Sequence, residues 1–333
     1  MTGRLAVLGA GSWGTTFAKV LSDGGNPVAL WARRPALADS IRRRHRNDDY
    51  LPGVLLPESI EVDSDVAVVL RDAEMIFFSV PSQALAGTIT EVRRHVPPDA
   101  LVVSLMKGVE HGTGRRMSTV LRDDLGASDD RIAVVSGPNL ATEIAREHPT
   151  AAVVAATSPE TARRVATAAT NRYFRSFVNG DVIGTEFGGV LKNLIAVAIG
   201  IVIGVGWGDN TKASILTRGL AEMTDFAVAF GGRPETLAGL AGLGDLIATS
   251  ESPLSRNNRA GRLLGQGYTL DDVVRTMDQT AEGLTSIAPV LELARSRGVA
   301  MPIVSQVADV LAGTLDPRDI APHLTDDLLP VGE

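Results

Sequence analysis

The sequence has 333 residues, a length that suggests about two domains. Hydrophobic residues make up 44% of it and charged residues 21%, which excludes wholesale disorder, and a formal net charge of −7 argues against a nucleic-acid or anionic-membrane binder. Cysteine is absent, which excludes disulfides, thiolate metal sites, iron–sulfur clusters and a cysteine nucleophile, and fits a reducing compartment.

The opening MTGRLAVLGAG leads from a short apolar run into a glycine turn rather than a cleavage site, so no signal peptide is expected. β-Branched runs at Leu5–Leu8, Val28–Trp31, Met75–Val80, Leu101–Leu105, Ile132–Val135 and Ala152–Ala155 predict strands. Helical spacing at Thr15–Asp23, Ser82–His95, Thr113–Leu125 and Pro159–Asn171 predicts helices between them. This alternation predicts an α/β fold: a Rossmann-type, doubly wound, mostly parallel sheet over residues 1–185, with right-handed crossovers. The cluster Arg42-Arg43-Arg44-His45-Arg46 reads as a solvated helix end.

Near Gly188 the texture changes. Ala/Leu/Gly-rich stretches at Val190–Gly204, Lys212–Phe230, Arg259–Leu264, Leu270–Asp278, Leu284–Arg295 and Ser305–Ala312 predict an all-helical domain over residues 186–333. Asn193–Gly208 is uncharged for 16 residues. A membrane span needs about 20 apolar residues, so a buried core helix in a soluble, cytoplasmic protein is the expectation.

Gly9-Ala10-Gly11-Ser12-Trp13-Gly14 places GxGxxG directly after the first strand and before a helix. Gly9 permits the tight turn, Gly11 the approach of a pyrophosphate, and Gly14 close helix–strand packing. An NAD site usually adds an acid about 20 residues on, for the ribose 2′-hydroxyl. Here the second strand ends in Ala32-Arg33-Arg34-Pro35, with no acid. Two guanidiniums suit a 2′-phosphate, so NADP(H) should be accepted.

Lys192 is the last charge before 16 residues without another, and its helical neighbours are Ile195, Ala196 and Ile199. Partial desolvation would lower its pKa and suit it to protonate a carbonyl oxygen as hydride arrives at carbon. On spacing alone, a snorkelling lysine at a helix end is the favoured reading. Gly239-Leu240-Ala241-Gly242-Leu243-Gly244-Asp245-Leu246 reads as a glycine-dense turn carrying one buried acid. Ser255-Arg256-Asn257-Asn258 suits a phosphate oxyanion, or Ser255 simply caps a helix. The histidines, at 45, 95, 111, 148 and 323, lie in polar or Pro/Gly-flanked contexts and form no ligand spacing, so no metal site is expected.

These residues resemble bacterial NAD(P)-dependent glycerol-3-phosphate dehydrogenases. The likeness runs in order through Gly9-Ala-Gly-Ser-Trp-Gly-Thr, Trp31-Ala-Arg-Arg, Tyr50-Leu-Pro-Gly-Val-Leu-Leu-Pro, Val80-Pro-Ser, Lys107-Gly, Ser136-Gly-Pro-Asn, Gly189-Val-Leu-Lys-Asn, Thr217-Arg-Gly-Leu-Ala-Glu-Met, Gly242-Leu-Gly-Asp-Leu, Ser255-Arg-Asn and Ala281-Glu-Gly. The resemblance implies reversible reduction of dihydroxyacetone phosphate to sn-glycerol 3-phosphate with NADP(H) or NAD(H), feeding glycerophospholipid synthesis. It implies Lys192 as the acid/base, with Lys107, Gly137, Asn139, Asp245, Ser255, Arg256 and Asn257 around the substrate. It places Ser12, Trp13, Arg33, Arg34, Lys107, Ala141, Arg256 and Glu282, beside the three glycines, at the dinucleotide. Its implied partner is a phosphorylated triose, with no nucleic acid and no stable membrane insertion; a homodimer is compatible with it. Thr142, Ile203 and Ala281 depart from the family pattern without removing a proposed catalytic group. A reductase of another hydroxy or sugar acid, and a non-enzymatic NADP(H) sensor, are the alternative readings.

Overall fold

A computed structural model describes residues 3–277 and 281–320, so Asp278 of the predicted helix Leu270–Asp278, and His323, lie outside the described residues. The chain forms two compact units, Met1–Glu186 and Phe187–Glu333.

The first unit is built on one sheet. Its strands are β1 (Arg4–Leu8), β2 (Val28–Trp31), β3 (Ile60–Asp63), β4 (Ala73–Phe78), β5 (Leu101–Ser104), β6 (Ile132–Ser136), β7 (Thr150–Ala156) and β8 (Phe174–Asn179), in the order β3-β2-β1-β4-β5-β6-β7-β8. All neighbours pair in parallel except β6 and β7. The order reverses between β1 and β4, which is where an open α/β sheet leaves a crevice at the carboxyl ends of its strands.

Apolar layers cover both faces. On one, Phe17 packs between Phe77 and Phe174, with ring centres 5.2 and 6.0 Å away; on the other, Ile76 and Phe78 meet Leu85, Val120 and Leu121. Burial on both faces is why β1, β2 and β5 read as unbroken apolar runs. The strands those runs did not predict, β3 and β8, are the two edges. Ile-Glu-Val-Asp buries only its alternate residues, and β8 exposes Arg175, Phe177 and Val178. The arginine cluster closes the exposed last turn of the helix Pro35–Arg44, with His45 in the left-handed region after it.

Every element described in the second unit is helical. The helix Val182–Val205 is apolar and long enough to cross a membrane, yet 83% of its most apolar window is buried inside the protein. Its own Phe187 clusters with Phe226 and Phe230, with ring centres 4.8–5.2 Å apart. The helix Arg256–Gly265 crosses it in direct backbone contact: a Cβ on Gly200 would fall 2.3 Å from the Asn258 carbonyl oxygen, and one on Gly261 would fall 2.1 Å from that of Val197. That close crossing sets the first turn of Arg256–Gly265 against the Lys192 region. Gly239–Leu246 is not the turn its glycines suggested. A turn of π-helix, Leu240–Gly244, runs directly into the helix Asp245–Glu251. Gly242 serves contact rather than flexibility, since a Cβ there would stand 2.0 Å from the Leu237 carbonyl oxygen.

Candidate functional site

The predicted residues of the first unit gather at the carboxyl ends of the parallel strands. β1 runs into Gly9, whose φ of +113° and 2.3 Å clearance from the Ser79 carbonyl oxygen exclude a side chain. Gly14 is closed in likewise: a Cβ there would fall 1.9 Å from the Gly9 carbonyl oxygen. Gly11 differs: an added Cβ would meet nothing within 4 Å. No side chain caps the helix Ser12–Asp23 and its first turn holds no acid. Open room over Gly11, against an uncapped helix N-terminus, fits the pyrophosphate of a dinucleotide. Trp13 follows, with its ring edge-on to Phe17 at 5.3 Å and its Nε1 buried without a protein partner.

Arg33 and Arg34 follow β2 and are both exposed. Arg33 makes no hydrogen bond or ion pair with the described residues. Arg34 Nη2 donates to Asp49 Oδ2 at 2.7 Å, and its guanidinium lies 5.7 Å from the centre of the Tyr50 ring. The Asp49 hydrogen bond, foremost, holds the Arg34 pKa above its ordinary value. Lys107 follows β5 and its Nζ donates to the Gly137 carbonyl at 2.9 Å. Gly137 has φ +118°, and both polar side-chain atoms of nearby Asn139 are buried without a protein partner. Ala141 opens the helix Ala141–Ala145, where its carbonyl accepts from Thr16 Oγ1 at 3.3 Å.

The second unit brings another group together. Lys192 is 6% exposed, and its helical neighbours Ile195, Ala196 and Ile199 are fully buried. Its surround is not the purely apolar one that the spacing suggested. Nζ donates to Asp245 Oδ1 at 2.9 Å and to Thr249 Oγ1 at 2.5 Å, and Thr249 Oγ1 donates to Asp245 Oδ1 at 3.2 Å. Asp245 is 1% exposed. The lysine is therefore held, not snorkelling.

Ser255 realises the capping alternative, its Oγ accepting from Asn258 N at 3.2 Å. Arg256 begins the helix and is exposed, while Asn257 is buried. Asn257 Nδ2 donates to Asn193 Oδ1 at 2.8 Å, and its Oδ1 accepts from Gly283 N at 3.0 Å. Asn257 thus joins the neighbour of Lys192 to the neighbour of Glu282, which begins the helix Glu282–Ser296.

Sequence reasoning did not find Thr249, Asn193 or Asp49. Thr249 lies four residues after Asp245, on the same helical face, which is a signal the glycine-dense reading obscured. Nothing in the spacing pairs Asp49 with Arg34.

Comparison with known proteins bears on both units. Residues 4–162 match the family model described as NAD-dependent glycerol-3-phosphate dehydrogenase N-terminus, and residues 181–322 match the corresponding C-terminus model. A glycerol-3-phosphate dehydrogenase (NAD(P)+) of Leifsonia xyli subsp. xyli is 67% identical over 327 residues, covering 98% of this chain and 89% of that protein. One from Thermobifida fusca is 49% identical over 317 residues, covering 95% and 94%. Among solved structures, the glycerol-3-phosphate dehydrogenase of Coxiella burnetii is similar with a TM-score of 0.92 at 36% identity, covering 98% of this chain and 99% of that one.

Proposed function

The chain belongs to the NAD-dependent glycerol-3-phosphate dehydrogenase family, and from that premise we propose that it reduces dihydroxyacetone phosphate reversibly to sn-glycerol 3-phosphate with NAD(P)H. The observation that carries the reading is the buried Lys192, seated on Asp245 and Thr249. When bound, the reduced nicotinamide supplies a hydride to the ketone carbon.

The chain's own residues do the rest. Charge develops on the ketone oxygen during reduction and needs a proton, and Lys192 Nζ is the donor; in oxidation it takes that proton back. Asp245 and Thr249 fix Nζ through two of its three N–H bonds, which keeps the ammonium in one rotamer instead of several. Arg256 binds the substrate phosphate and also touches the cofactor, with Ser255 and Asn257 flanking it. Lys107, Gly137 and Asn139 are the substrate ligands proposed from the first unit. Gly9, Gly11, Ser12, Trp13, Gly14, Arg33, Arg34, Lys107, Ala141 and Glu282 bind the dinucleotide. The product supplies glycerophospholipid synthesis, and the proposed location is the cytoplasm.

The test is oxidation of NADPH and of NADH by the purified chain with dihydroxyacetone phosphate as acceptor. Turnover that yields glycerol 3-phosphate and falls sharply with unphosphorylated dihydroxyacetone is the expected result. Cofactor binding with no turnover would leave a sensor instead of an enzyme, and preference for a hydroxy acid or keto acid would move the substrate class.

A further inference from the structure

β2 ends in two arginines where an NAD site usually keeps an acid for the ribose 2′-hydroxyl. In the folded chain a carboxylate reaches that place from another segment. Asp49 lies after the helix Pro35–Arg44, and its Oδ2 accepts from Arg34 Nη2 at 2.7 Å.

The segment that carries Asp49 is anchored on both sides to the glycine turn. Asn47, 1% exposed, donates from Nδ2 to the Ala10 carbonyl at 2.9 Å and to Thr15 Oγ1 at 2.7 Å. Ser12 Oγ donates to the Tyr50 carbonyl at 2.5 Å. Asp49 stands between these two anchors, so its place beside the pyrophosphate turn and the end of β2 is set by the fold. The pair itself is exposed, with side-chain accessibilities of 57% for Arg34 and 54% for Asp49. An ion pair so solvated is weak, and a competing anion can open it.

We propose that Asp49 determines cofactor choice: its carboxylate takes the ribose 2′-hydroxyl of NAD(H), and it releases Arg34 to the 2′-phosphate of NADP(H). The inference rests on the dinucleotide-binding reading above. With NAD(H), the hydroxyl donates to a carboxylate oxygen while Arg34 stays paired. With NADP(H), the phosphate repels the carboxylate, and Arg34 turns to join Arg33, which no described residue engages. A phosphate offers a guanidinium more acceptor oxygens and more charge than a carboxylate does. One site thereby serves both cofactors, and Asp49 weights it toward NAD(H).

The experiment is direct titration of the purified chain with NADH and with NADPH, read by the fluorescence of the reduced cofactor with no acceptor present. Asp49→Asn preserves shape and removes charge at an exposed position. It should bind NADPH roughly three- to tenfold tighter and NADH weaker by a similar factor, as the loss of an exposed charge interaction implies. Asp49→Ala should shift both cofactors in the same directions. In an Arg34→Ala background, Asp49→Asn should lose most of its gain for NADPH and keep its loss for NADH. Equal shifts for the two cofactors, or no shift in either, would overturn the assignment. A wild-type chain that binds neither cofactor would overturn the dinucleotide reading beneath it; wild-type binding with an unresponsive Asp49→Asn overturns this inference alone.

Discussion

Lys192 Nζ and Asp245 Oδ1 lie 2.9 Å apart, with side chains 7% and 2% exposed, so the proposed catalytic ammonium is half of a buried ion pair. Removing one partner of such a pair leaves the other charged and unpaired, which costs about 3–5 kcal/mol, whereas replacing both with apolar residues of similar volume is often neutral. Lys192→Ala and Asp245→Ala should each lower unfolding stability by about that much, and Lys192→Met with Asp245→Leu should recover most of it. Urea unfolding of the three variants measures this. Additive losses in the double variant would mean that the two groups do not share one buried interaction.

Arg256 opens the helix Arg256–Gly265 beside the Ser255 cap and is exposed. If it holds the substrate phosphate, Arg256→Ala removes a charge-assisted hydrogen bond worth about 1.5–3 kcal/mol. The KM for dihydroxyacetone phosphate should rise roughly 10- to 100-fold, while the slow reduction of unphosphorylated dihydroxyacetone changes little. An Arg256→Ala enzyme that still prefers the phosphorylated ketone by the original factor would place the phosphate elsewhere. Some loss of cofactor affinity is expected alongside, since Arg256 is assigned to both ligands.

Glu222 is buried in the helix Asp209–Ala229 and accepts from Ile303 N at 2.6 Å, at the start of the helix Pro302–Ala312. Burial, foremost, pushes its carboxyl from the ordinary 4.5 up to about 7, against the downward pull of the Ile303 and Val304 N–H groups; Asp225 adds to the rise. Between those values the folded chain keeps a proton that the unfolded chain has released. The stability this contributes is complete below 4.5, declines as pH rises to about 7, and is gone above it. The decline should amount to about 3 kcal/mol, and Glu222→Gln should flatten it. Stability measured by denaturant across this range checks the point: a Glu222→Gln profile parallel to the wild type would show that Glu222 is not the group titrating.

The fold was readable where burial is two-sided. β1, β2 and β5 announce themselves because Leu5–Leu8, Val28–Trp31 and Leu101–Val103 are all buried and apolar, whereas the edges β3 and β8 spend half their positions on water and so carry no continuous run. The glycine turn and its arginines were readable because the backbone chemistry of that turn is local. Lys192 could be singled out by its long apolar surround, but its partners could not: Asp245 is 53 residues away and Thr249 is 57. The packing of separate helices brings such distant residues together, and contacts of that kind leave no period in the sequence. Asp49 was hidden for a related reason. It reaches Arg34 across a 15-residue gap, through an irregular segment anchored by Asn47 and Tyr50.

The central claim is that Lys192, and not Lys107, moves the proton. Single-turnover hydride transfer to dihydroxyacetone phosphate in Lys192→Ala and in Lys107→Ala, with NADPH binding measured separately on each, tests it most directly. General acid–base catalysis is worth about 10²–10⁴ in rate, so Lys192→Ala should lose that much in the transfer step while still binding NADPH. Lys107→Ala, whose Nζ rests on the Gly137 carbonyl, should weaken ligand binding with a smaller loss in the step itself. Near-normal transfer in Lys192→Ala, together with its loss in Lys107→Ala, would contradict the assignment and exchange the two roles.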